Sequence, residues 1–205
     1  MFRSFSDASL PRLTYTAREA TAVASLFAPD HVDRLEGFTA TKDRFLAALL
    51  DRYRVIHVAS HAMTDAQIVG LSALALSAVD PTGKKIDNNL VFASDLMTLR
   101  LKADLVVLSA CDTSLGKDVA GEGLMGLRYI VLARGAGAVV ASLWEVLDRA
   151  TSELMTAFYR SFLGGHESVP AALSEAMRTM LSGSNTDPSE WAAFTATISA
   201  PGELR

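Results

Sequence analysis

The chain has 205 residues, half of them hydrophobic, one cysteine and a formal net charge of −4. That length suits one α/β domain with a sizeable core. The weakly acidic balance gives no electrostatic footprint for a nucleic acid and no basic stripe for a membrane surface.

In chain order, "TAREATAVASLFA" repeats apolar residues at helical spacing through Ala20, Val23, Ala24 and Phe27, and Pro29 ends the run. "TKDRFLAALLDRY" predicts a second helix with Thr41 as N-cap and an apolar side of Phe45, Leu46, Leu49 and Leu50. "RVIHVASHA" is short and β-branched, which predicts a buried strand over Val55–Ala59. "LSALALSAV" is a second strand candidate. The Asp, Pro, Gly and Asn residues between Asp80 and Asn89 predict a turn or exposed loop. "SDLMTLRL" reads as a short helix capped by Ser94.

"DLVVLSA" is the clearest strand. A helix over "GEGLMGLRYIVLARG" should close at Gly135 in the position after its C-cap. "AVVASLW" is a further strand. "DRATSELMTAFYRSFLGG" is amphipathic, with Asp148 as its cap and Gly164–Gly165 at its end. Ser168 caps the next helix, which has Pro170 in its first turn, and "WAAFTATI" predicts a last strand. Strands alternating with helices imply a mostly parallel sheet covered on both faces. No repeat, low-complexity segment or linker interrupts the chain.

A single cysteine, Cys111, excludes an internal disulfide and fits a reducing compartment. "MFRSFSDASLPRL" lacks the apolar core of a signal peptide. "YIVLARGAGAVVASLW" is too short, and too interrupted by Arg134 and two glycines, to span a bilayer. The expectation is a cytoplasmic domain without a membrane contact.

Chemistry in an open α/β sheet collects beyond the carboxyl ends of its parallel strands. Two reactive residues fall there: His61 after "VIHVAS" and Cys111 after "LVVLSA". On neighbouring parallel strands they would emerge at one edge. The imidazole could then take the thiol proton and the thiolate attack a carbonyl carbon. Small residues around both, Ser60, Ala62, Ser109 and Ala110, leave room for a substrate. The backbone N–H groups of Cys111 and Ala62 could form an oxyanion hole. The plainer alternative is a core cysteine and a structural histidine, since free cysteines are mostly buried.

"VIHVASHA" with "LVVLSACDTSLG", "GEGLMGLRYIVLARGAGAVVASLWEVLD" and "ELMTAFYRSFL" resembles the CHAT family, a branch of caspase-like cysteine peptidases often fused to tetratricopeptide repeats. The likeness runs from about Leu10 almost to the C-terminus. It implies a caspase-like three-layer α/β/α sandwich with a mostly parallel central sheet, residues 1–205 forming one domain that is part of a larger protein or complex. It also implies His61 and Cys111 as the catalytic pair, no cofactor, and hydrolysis of a protein or peptide substrate. Two departures stand out. The family usually has glycine where this chain has Ala62, and relatives often carry an acid where it has Leu147.

Among other residues, His57 reads as a buried histidine bonded to a neighbour, with a small prospect of catalytic involvement. His31 and His166 read as surface residues. Asp112, Glu122, Glu145 and Asp148 lie near strand ends; loop bonding and helix capping are their ordinary roles. Asp112, Glu122 and Asp148 are the substrate-binding candidates, and an acidic cleft would favour a basic residue before the cleaved bond. "GEGLMG" matches a dinucleotide-binding pattern in letters, but "CDTSLGKDVA" separates it from the strand by far more than that turn allows. No metal-ligand spacing is present. Two further expectations remain beside the peptidase: a catalytically silent module that docks a repeat domain or partner protein, and regulation by such a partner. A mean hydropathy of +0.24 agrees with apolar surface being covered by one.

Overall fold

A computed structural model describes residues 10, 12–48, 50–63, 72–112, 122–144, 146–165, 168–183 and 187–199, and for residues 110–112 and 122–125 it describes the backbone alone. Expectations about the segment "TSLGKDVAG", Glu145 and His166 lie outside these residues.

Among the described residues, six strands form one sheet in the order β3-β2-β1-β4-β5-β6. They are β1 Val55–Met63, β2 Ala73–Ala75, β3 Leu90–Phe92, β4 Leu105–Asp112, β5 Ala138–Ser142 and β6 Phe194–Ile198. The centre, β1-β4-β5, is parallel, while β2, β3 and β6 join by antiparallel pairings. The expected parallel character is therefore concentrated where β1, β4 and β5 are buried on both faces, with antiparallel strands at the margins.

Both central strands run further than their apolar pattern suggests. β1 continues through His61 to Met63, and β4 through Cys111 to Asp112. Eight consecutive residue pairs, from Val55↔Leu105 to Ala62↔Asp112, hold the two together. Continuous parallel pairing satisfies the backbone of the polar residues at the strand ends, so the ladder outlasts the hydrophobic run.

The helices are α1 Thr16–Ala24, α2 Lys42–Ala47, α3 Ala93–Leu96, α4 Glu122–Ala133, α5 Asp148–Leu163 and α6 Val169–Ser182. One core layer joins Val58, Val106, Leu108, Val139 and Ala141 of the sheet to Leu96, Leu127 and Val131 of α3 and α4. The other joins Leu105, Val107, Ala138 and Val140 to Val23 of α1, Leu154, Phe158 and Tyr159 of α5, and Leu173 and Ala176 of α6. Even and odd positions of β4 thus serve opposite faces, as the two-residue strand period requires, giving the expected three-layer α/β/α arrangement.

Several sequence expectations hold in detail. Thr41 accepts a hydrogen bond from the Arg44 N–H as N-cap of α2, and Ser168 does the same for the Ala171 N–H of α6. Gly135 follows α4 with φ of 114°, and a Cβ there would lie 2.2 Å from the Leu101 carbonyl oxygen. Only glycine suits this crossing. Two hydrogen bonds brace the same turn: the Leu101 N–H donates to the Arg134 carbonyl at 2.9 Å, and Arg134 Nε donates to the Leu99 carbonyl at 2.7 Å. The end of α4 is thereby pinned to the segment that leads into β4.

Others need correction. α1 ends at Ala24, short of Phe27, and Pro29 opens a separate 3₁₀ turn, Pro29–His31. The N-cap of α3 is Phe92, whose N–H donates to the Asp95 carboxylate at 2.8 Å, so Ser94 lies within the helix. Asp95 also receives Lys42 Nζ at 2.6 Å, linking α3 to α2. The N-cap of α5 is Leu147, with Asp148 as the first helical residue. β3, directly after the Asp80–Asn89 loop, is a strand that three residues were too few to announce.

Candidate active site

The two reactive residues become neighbours through strand register alone. His61 and Cys111 are Cα partners on the adjacent parallel strands β1 and β4, strands that lie about 4.8 Å apart in such a ladder. Both positions have the parity of Leu105 and Val107, which belong to the face covered by α1, α5 and α6. The residues sit within the last rungs of their strands rather than beyond them. His61 is 9% exposed and is flanked on its other side by Ala75 of β2.

α5 begins shortly after β5 at this carboxyl edge, on the same face. Its first turn brings a positive dipole end to the region, which favours an anion such as a thiolate. Asp148 stands in that first turn. Its carboxylate accepts the Tyr15 N–H at 2.6 Å, tying the start of α1 to the start of α5. This bond gives Asp148 a structural task besides the substrate contact the sequence suggested.

Asp112 is the Cα partner of Ala62 and has the opposite parity to Cys111. Glu122 opens α4, whose core residues pack on the opposite face of the sheet. Backbone placement therefore groups His61 with Cys111 and sets Asp112 and Glu122 toward the other layer. Ala62 is fully buried inside β1, between Leu74 of β2 and Asp112 of β4.

His57 lies four residues before His61 on the same face. Its Nε2 sits 2.8 Å from Glu19 Oε1 and its Nδ1 3.2 Å from the Tyr159 hydroxyl. Glu19 is 1% exposed and Tyr159 fully buried. The Tyr159 hydroxyl is held well above its ordinary pKa, first by burial and then by the nearby Glu19 charge. The two ring nitrogens thus engage two buried groups at once, Nδ1 the Tyr159 hydroxyl and Nε2 the Glu19 carboxylate. His57 is the bonded core histidine the sequence suggested, about 13 Å along the strand from His61.

Beyond β5, which ends at Ser142, sequence reading marked Leu147 as a departure from the resemblance and gave Trp144 no role. Trp144 and Leu147, 38% and 63% exposed, stand there on either side of buried Val146. Their signal in the sequence was "SLWEVLD", large apolar residues following a strand where polar ones are usual. Among the described residues no group of three or more His, Cys, Asp or Glu could hold a metal ion, and no helix is long and apolar enough to cross a membrane.

Residues 2–199 match the CHAT domain. The chain is 41% identical over 107 residues to tetratricopeptide repeat protein 28 of Mus musculus and 40% identical over 106 residues to that of Homo sapiens. These matches cover 52% and 51% of this chain but only 4% of each relative. The chain thus corresponds to a small part of the relatives' length.

Proposed function

Since the chain belongs to the CHAT domain family, we propose that it is a cysteine peptidase in which Cys111 and His61 act as a dyad. The observation that carries this reading is the Cα pairing of His61 with Cys111 on parallel strands, on one face and at the carboxyl edge. Open α/β sheets carry their chemistry at that edge.

His61 takes the Cys111 thiol proton. The thiolate sulfur bonds to the peptide carbonyl carbon, and the carbonyl π electrons move to the oxygen. The Cys111 N–H stabilises that oxyanion, with the Ala62 N–H as the second donor. When the intermediate collapses, the C–N bond breaks and His61 gives its proton to the leaving amine. Water then attacks the thioester carbon, giving a proton to His61. The C–S bond breaks, the acid product leaves, and the proton returns to sulfur. No step needs a cofactor. Asp112, Glu122 and Asp148 remain substrate-contact candidates, with Asp148 engaged by Tyr15.

A second reading is a catalytically silent module that docks a repeat domain. Two observations favour it: the relatives are named for tetratricopeptide repeats, and His61 is mostly buried. Under either reading the partner is a protein, and association with a repeat domain is part of the proposal. Alkylation of Cys111 by iodoacetamide near neutral pH separates the two. A dyad thiolate reacts well above the rate of an ordinary thiol and loses that advantage in His61→Ala. Equal, slow rates in wild type and variant support the silent module.

A further inference from the structure

Arg128 is a buried charge without a counter-charge. It lies on α4 between Leu127 and Val131, which face the core layer shared with α3, and it is 7% exposed. Its Nη1 donates to the Thr197 hydroxyl of β6 at 3.0 Å. Among the described residues its buried Nε and Nη2 have no hydrogen-bond partner, and no carboxylate pairs with the group. Burial pulls the guanidinium below its ordinary pKa, an effect that neighbouring Tyr129 opposes, yet an arginine stays charged near neutral pH. A buried charge left unpaired is costly to hold, so two orphaned donors on one such group call for an acceptor.

The two orphans are a matched pair. Nε–H and one Nη2–H leave the planar guanidinium side by side and parallel, along the edge that fits both oxygens of a single carboxylate. Thr197 takes only Nη1, so it anchors the group and leaves that fork for a bidentate acceptor.

The position suits an acceptor brought by another chain. β6 is the last strand of the sheet among the described residues, held by β5 alone from Ala138↔Ile198 to Ser142↔Phe194. Thr195 and Thr197 pair with Ala141 and Val139, which belong to the core layer under α4. The seam between α4 and this edge strand therefore carries threonines rather than large apolar side chains, and movement of one edge strand opens it. Tyr129, next to Arg128, is 58% exposed. Tyrosine and arginine are the side chains protein interfaces favour, and the outer side of an edge strand offers a peptide a row of backbone partners.

We propose that Arg128 receives a carboxylate carried by an acidic side chain of a partner protein, whose segment lies along the outer edge of β6. The Nε–Nη2 edge takes both carboxylate oxygens, Thr197 holds Nη1, and Tyr129 packs against the segment. The site lies on the opposite face of the sheet from His61 and Cys111 and does not depend on the peptidase reading.

Two arms on the full chain test this. In the first, thermal unfolding is followed in sodium acetate and in sodium chloride at equal ionic strength. Acetate should raise the midpoint of wild type more than that of Arg128→Met, since only wild type has the fork to bind it. Arg128→Met should fold, because replacing an unpaired buried charge by an apolar chain is often neutral or stabilising; should it fail to fold, Arg128→Lys takes its place. In the second arm, the protein is applied to an array of short peptides with varied flanks, each with a central Glu or with Gln instead. Wild type should bind some Glu peptides about tenfold or more tighter than their Gln counterparts, the scale of a charge-assisted hydrogen bond. Arg128→Lys, which keeps the charge and loses the fork, and Thr197→Val should lose most of that preference. Equal acetate responses in wild type and variant overturn the site, and so does a Glu preference that persists in Arg128→Lys. Acetate protection of wild type with no Glu-selective peptide overturns the partner segment as the source of the carboxylate.

Discussion

Replacing His57 by leucine removes an imidazole that two buried groups depend on, at nearly constant volume. Glu19 keeps a carboxyl group at 1% exposure without its imidazole partner, and the fully buried Tyr159 hydroxyl loses the same ring. Each orphaned group costs about 1–3 kcal/mol, so the variant should lose about 2–6 kcal/mol of unfolding free energy. That is a large fraction of the stability of an ordinary domain. Urea unfolding followed by circular dichroism measures it directly. The double variant His57→Leu with Glu19→Leu should recover part of the loss, because two partners removed together leave fewer unpaired groups than one. The triplet joins α1, β1 and α5 and lies away from His61, so folded His57→Leu should still alkylate at Cys111 at the wild-type rate. A loss below about 0.5 kcal/mol, the level of a surface substitution, would refute the reasoning. So would slow alkylation in a variant that remains folded, since that would give His57 the role assigned to His61.

Three further outcomes are expected from the same geometry. Gly135→Ala should cost about 2–4 kcal/mol in chemical denaturation, since φ of 114° is strained for alanine and its Cβ would meet the Leu101 carbonyl at 2.2 Å; a loss near zero would mean the turn is not held as described. Tyr159 is held above its ordinary value of 10.0 in the folded chain, so the unfolded chain gives up that proton first as pH rises. Its contribution to stability is complete below pH 10 and declines above it, and Tyr159→Phe should show a shallower alkaline loss in urea midpoints across that range. Thr41→Ala should cost about 1 kcal/mol, the usual worth of an N-cap, and leave Cys111 reactivity unchanged.

The parts of the fold legible in the sequence are those decided locally. Within "DLVVLSA" and "AVVASLW", the stretches from Leu105 and from Ala138 to Ser142 are strands because β-branched runs fit a sheet buried on both faces. The end of α4 and the start of α6 are set by Gly135 and Ser168, whose roles depend on a few neighbouring backbone groups. The parts that were not legible depend on partners distant in sequence. His61 and Cys111 lie inside their strands because β1 and β4 satisfy each other's backbone, which neither segment reveals alone. β3 exists because Leu74 of β2 pairs with Val91; three residues cannot display a period. The α3 cap moved from Ser94 to Phe92 because Asp95 gathers both the Phe92 N–H and the distant Lys42. Pairing the dyad was within reach, since both residues follow apolar strands. That Asp148 is engaged by Tyr15 was not, because those residues are 133 apart in the chain.

The central claim is that Cys111 and His61 act together on a peptide bond. The most direct measurement is turnover of a peptide library by wild type, Cys111→Ala and His61→Ala, each shown to be folded. A working dyad predicts cleavage by wild type, none by Cys111→Ala, and a fall of about 10²–10⁴-fold in His61→Ala, the usual contribution of a general base. Cleavage retained by folded Cys111→Ala would contradict it.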